Sequence, residues 1–204
     1  MYCRGEDTRR QIVQDYEVVP VVHVQLLKWQ TRRSCTGDEL TDAYYCFSYK
    51  SRSGADEGTI LCGKHAAKDF LQLINHHELP LFNPIKLIGS GEPPASSAMP
   101  QGSRIQWDAT AKQLYNAIHL LIICWSSSPG PALAFIKAKL EKFPDRPPFP
   151  SQIKAINTIL GKYINKRTLT QMVVEISKGN SIKTYNFNLL DNVLAAENTV
   201  SNFT

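Results

Sequence analysis

The sequence predicts an α+β fold in two parts, and three observations carry that prediction. Residues 16–64 hold short valine- and aromatic-rich runs separated by polar, glycine-containing stretches, the composition of strands joined by turns. From Ala66 onward apolar residues recur at helical spacing instead. Between two such helical regions, "GSGEPPASSAMPQGS" at 89–103 is a Gly/Pro/Ser segment that can bury little apolar area. The expected organisation is a β-rich module at 1–88, a linker at 89–103 and a helical domain at 104–204.

A chain of 204 residues can bury a core without covalent help. Its 43% hydrophobic and 20% charged composition excludes wholesale disorder. The opening "MYCRGEDTRRQIVQDYE" is polar and carries acids, unlike a signal or transit peptide. The longest strongly apolar run, "AIHLLIICW" at 117–125, is about half a bilayer span. The expectation is a soluble, cytoplasmic protein with no membrane partner.

Taken in order, "YEVVPVVHVQLLKW" (16–29) reads as a strand interrupted at Pro20. "YYCFSYK" (44–50) and "GTILCGK" (58–64) flank the polar "SRSGADE" as a hairpin. A helix follows from Ala66 to His77, with Phe70, Leu71 and Ile74 on its apolar face, and stops before the prolines of "ELPLFNP". Beyond the linker, Asp108 is the N-cap of "ATAKQLYNAIHLLIICW", which carries Leu114, Ile118, Leu121 and Ile122 on one stripe. "SSSPGP" ends that helix, "ALAFIKAKLEKF" forms the next, and "PDRPPFP" breaks it. "SQIKAINTILGKYI" is a third, capped by Ser151 with Ile153, Ile156, Ile159 and Leu160 inward. "TLTQMVVEIS", ended by Gly179, and "NLLDNVLAAE" complete the bundle, and no fixed-period repeat is present.

Five cysteines without an export signal favour something other than a disulfide framework. Cys3 is expected at a mobile terminus and Cys124 as a buried free thiol. Cys35, Cys46 and Cys62 fall in one 28-residue window and suggest a metal site. In "LCGKHAAKDF", Cys62 and His65 flank a glycine turn at a strand–helix junction, so that both side chains could reach one tetrahedral metal. Cys35, Cys46, Cys62 and His65 would form a closed, structural Cys₃His zinc site; the His ligand and the spacings disfavour an iron–sulfur cluster.

A hairpin followed by a helix carrying the second half-site resembles the treble-clef class of zinc fingers over about residues 33–77. The resemblance implies a zinc-stapled β-hairpin/helix module. This chain departs from the treble-clef pattern by spacing Cys35 and Cys46 eleven apart instead of three. His76, His77 and Asn83 invite a second comparison, with ββα-metal nucleases, whose His and Asn residues surround a hydrolytic metal. Here the histidines end a helix and are better read as charges favoured by its dipole. His119, inside an apolar helix, reads as a core residue. No phosphate-binding glycine loop, nucleophile elbow or zincin motif occurs, so the chain leans away from an enzyme.

Residues 136–183 carry ten Lys or Arg against three acids, a local +7 within a whole of +5. "QIKAINTILGKYINKRTLTQMVVEISKGNSIK" could hold a helix-turn-helix, with Lys162, Lys166, Arg167 and Lys178 on phosphates and Thr168, Thr170 and Gln171 as base readers. The simpler account is that these lysines solvate a bundle, and no arginine–aromatic interleaving suggests single-strand stacking. The expected function is that of a zinc-containing binding protein, with nucleic acid preferred as partner over another protein, and a metal-dependent nuclease third.

Overall fold

A computed structural model of the chain describes residues 1–54, 56–86, 106–125, 129–162 and 167–204. The Gly/Pro/Ser segment 89–103 lies outside the described residues. The fold is mixed α+β and comprises two compact units. One holds Met1–Asn83 with Pro129; the other holds the described residues of Pro84–Trp125 and Gly130–Thr204.

In the first unit, α1 (Glu6–Asp15) runs directly into β1 (Tyr16–Gln25), and a small ribbon, β2 (Arg32–Arg33) with β3 (Glu39–Leu40), precedes β4 (Ala43–Ser51) and β5 (Glu57–Cys62). The main sheet is antiparallel in the order β1-β4-β5, so the predicted hairpin is its β4–β5 half. Pro20 lies in the edge strand β1, where the register to β4 shifts between Pro20 and Val22; a proline lacks the ladder N–H and is tolerated at such an irregularity. The strand therefore bends at Pro20 and does not end there.

Strand periodicity decides what each side of this sheet does. Tyr45 pairs with Cys62 and Phe47 with Ile60, so these four side chains share one face. That face is buried with Ile12 of α1, Val18 of β1, and Ala66, Ala67, Phe70 and Leu71 of α2 (Lys64–Leu73). The polar N-terminus is thus not mobile: α1 is amphipathic enough to bury Ile12, and Cys3 is fully buried and disulfide-bonded to Cys35. Helix α2 stops at Leu73, four residues short of the expected His77. Asn75 turns left-handed (φ 51°) and the His76 N–H bonds back to the Leu71 carbonyl at 2.8 Å, which closes the helix before the histidines.

The second unit is a helical bundle of α3 (Ala109–Trp125), α4 (Pro131–Lys142), α5 (Pro150–Gly161), α6 (Leu169–Ser177) and α7 (Asn188–Ala196). Asp108 caps α3 as expected, its Oδ1 accepting from the Ala111 N–H at 2.9 Å. Buried residues lie all round α3, so it is the bundle's central rod, packed by α4, α6 and α7, and not an element with one apolar stripe. Helix α5 begins at Pro150, with Phe149 and not Ser151 at the N-cap position: proline's fixed φ suits the first helical turn, and the Gln152 side chain accepts the Phe149 N–H at 2.9 Å. The C-terminal tail is locked down by buried Asn157. Its side chain donates to the Val200 carbonyl at 2.8 Å and accepts from the Asn202 N–H at 2.7 Å, and Phe203 is fully buried.

Candidate functional site

The four metal candidates do not meet in one shell. Cys35 is in the disulfide with Cys3. Cys46 pairs with Leu61 across the ladder while Cys62 pairs with the adjacent Tyr45, so the Cys46 and Cys62 side chains leave opposite faces of the sheet. Cys62 sits in the helix-covered core, where burial first, and then the Cys46 thiol, push its pKa up to about 12. Such a group is a protonated, apolar filler. His65 is exposed in the first turn of α2. His76 and His77 are exposed past the end of that helix, and Asn83 follows the bridge between Val24 and Phe82. Among the described residues, no group of three or more His, Cys, Asp or Glu is arranged to hold a metal ion.

The helix-turn-helix reading fares differently at each residue. Lys162 is exposed at the C-cap of α5, and Lys166 lies outside the described residues. Arg167 and Lys178 converge on one carboxylate, Glu175, at 3.7 and 3.5 Å. The three expected base readers are engaged within the fold. Thr168 and Gln171 cap α6 reciprocally, each side chain bonding the other's N–H (3.3 and 3.1 Å), and the Thr170 hydroxyl donates to the Phe203 carbonyl at 2.8 Å. Residue type alone suits Thr168 and Gln171 equally to base contact and to the capping box that they form.

A different basic surface lies at the α4–α5 turn. On α4, Leu133, Ile136, Lys137 and Leu140 are buried, which leaves Phe135, Lys139 and Lys142 together on the outer face, at i, i+4 and i+7. Lys139 Nζ stands 4.7 Å from the Phe135 ring centroid, Lys142 Nζ 5.4 Å from that of Phe143, and the Arg146 guanidinium 5.1 Å from the same Phe143 ring. The rings stay exposed: Phe135 at 61%, Phe143 at 40% and Phe149 at 68%. Lys139, Phe143, Arg146, Pro147, Pro148 and Phe149 line a groove of about 410 Å³, of a size that takes small-ligand groups.

Three cations stand on this surface against one exposed acid, Asp145 in the turn, with which none of them forms an ion pair. Glu141, the nearest acid on α4, is taken by Lys137, Nζ to Oε1 at 2.6 Å, with the Tyr115 hydroxyl donating to the same oxygen at 3.4 Å. Burial lowers the pKa of Lys137, and the Glu141 carboxylate opposes that shift. Among the described residues, no ion pair involves Lys139, Lys142 or Arg146. Cations and aromatic rings therefore do interleave in this chain, contrary to the sequence expectation. The signal lay in "FIKAKLEKFPDRPPFP", read above only as a helix and its breaker.

The same end of the bundle is fixed from beneath. The Asp108 N–H donates to the Pro144 carbonyl at 2.8 Å, tying the start of α3 to the turn that follows α4. Trp107 and Tyr115 pack at 4.8 Å with Lys112 Nζ over both rings. No described helix is long and apolar enough to cross a membrane.

No curated protein and no solved structure matches the chain. Residues 1–201 match the family described as Uncharacterised conserved protein UCP028583. With nearly its whole length aligned, the chain belongs to that family.

Proposed function

We propose that the protein binds nucleic acid through the α4–α5 surface of its helical unit. One observation carries the reading: Lys139, Lys142 and Arg146 lie beside exposed phenylalanine rings with no carboxylate partner among the described residues. Unpaired surface cations are ready phosphate contacts, and phosphate contacts supply most of non-specific nucleic-acid affinity. The position differs from that inferred from sequence, because Arg167 and Lys178 already share Glu175.

The test is a fluorescence-anisotropy titration of a labelled mixed-sequence oligonucleotide at low salt. The full chain should bind, and changing Lys139, Lys142 and Arg146 together to glutamine should weaken binding by at least about tenfold. Unchanged affinity in that triple variant would move the function elsewhere.

A protein partner is the second reading, favoured by the exposure of the three phenylalanines themselves. Structural zinc is kept as a separate proposal, supported by the Cys62–His65 spacing at the β5–α2 junction. Elemental analysis of the purified protein tests it. Stoichiometric zinc would call for a donor set other than the four residues named from sequence, since Cys35 is disulfide-bonded and Cys46 faces away from Cys62.

A further inference from the structure

We infer that the α4–α5 surface takes single-stranded rather than duplex nucleic acid, with bases stacked on Phe143 and Phe149 and phosphates on Lys139, Lys142 and Arg146. This rests on the proposed nucleic-acid reading and adds the substrate class to it.

The first reason is where the rings stand. Phe149 is exposed at the N-cap position of α5, in extended backbone (φ −65°, ψ 142°), between Pro148 and Pro150. Prolines fix φ at their own positions and restrict the residue before them, so this ring is held out on a stiff backbone. Little further chain entropy is lost when a base settles on it. Phe143 sits across the same groove, with a lysine and an arginine at its ring. An aromatic face held exposed and flanked by cations is the arrangement that binds a base and its neighbouring phosphates at once.

The second reason is what other polyanions would lose. A duplex keeps its bases stacked inside, so it could use the three cations but not the ring faces. A bound peptide strand needs main-chain partners, and this groove offers few. Pro147 and Pro148 have no N–H, and the Phe143 N–H is spent on the Lys139 carbonyl at 3.1 Å. Charge complementarity and π-faces together select a strand with unpaired bases.

The experiment compares four probes on the full chain at fixed low salt: a DNA single strand, the same sequence as RNA, its duplex, and an acidic peptide containing phenylalanine. Both single strands should bind more tightly than the duplex. Phe143→Leu and Phe149→Leu keep apolar bulk but lose the π-face; each should weaken single-strand binding by about 5- to 100-fold and duplex binding by less than about twofold. Phe149→Tyr should retain single-strand affinity. Thermal melts matching wild type confirm that the variants are folded, as expected for exposed side chains. Equal affinity for single strand and duplex, with both leucine variants silent and the Lys139/Lys142/Arg146 triple variant weak on both, would overturn the inference and leave the nucleic-acid reading standing. Tight peptide binding without any nucleic-acid binding would overturn both.

Discussion

His119 shows how a single residue couples this fold to pH. It is buried in α3, its Nδ1 lies 2.9 Å from the Tyr115 carbonyl, and burial first, then the Lys137 charge, hold its pKa down to about 3 from 6.5. The neutral form is therefore the folded form. Between the unfolded value and the folded one, the unfolded chain binds a proton that the native state refuses. Stability is accordingly complete above about pH 6.5 and lost as pH falls toward 3, at about 1.4 kcal/mol per pH unit. Urea midpoints between pH 7 and 5 should show that slope, reduced by about one proton's worth in His119→Leu. A pH-independent midpoint in that window would contradict the assignment. The sequence identified His119 as a core residue because apolar residues surround it. Tyr115 is one turn away on the same helix and follows from that spacing, whereas Lys137, which arrives from α4, has no local signal.

At the scale of elements, most of the architecture was legible, and the misses have local causes. Strands β4 and β5 and the helices of the second unit follow from period and punctuation, since hydrophobic spacing is set by what each element buries. Helix α1 was missed because its only buried residue is Ile12; its place depends on packing to α2 and on the Cys3–Cys35 link, neither of which has a local signal. Arg9 adds to that anchorage, donating to the Cys3 carbonyl at 2.9 Å and pairing with Asp69 of α2 at 2.5 Å. The fold does not gather the four metal candidates, for a reason of register. Cysteines on adjacent strands look close in sequence, yet a one-residue offset sends them to opposite faces. The disulfide closes a 32-residue separation, and in the chain-entropy account that constraint contributes about 3–4 kcal/mol. Cys35→Ser should lower the denaturation midpoint accordingly and speed amide exchange at Ile12 more than at Phe70. An unchanged midpoint would mean that the bond does not form in the protein as purified.

Across the whole molecule, two units carry different kinds of surface. The first encloses an aromatic core behind a three-stranded sheet; the second is a bundle whose basic character is visible from composition, although which of its cations lack an ion pair is not. Counting charges over 136–183 weighs Lys137, Lys154 and Arg167 equally with Lys139 and Arg146. The first three are matched by Glu141, Glu197 and Glu175. Helical spacing already offers the Lys137–Glu141 pair, but only the fold brings Lys154 to Glu197, 43 residues away. The central claim is that the unmatched set contacts phosphate. Its most direct test is the salt dependence of oligonucleotide affinity. Single-strand binding should fall linearly on a log–log plot, and the Lys139/Lys142/Arg146 glutamine variant should lose about 2 units of slope, near 0.7 for each phosphate contact removed. A variant slope equal to that of wild type would contradict the account.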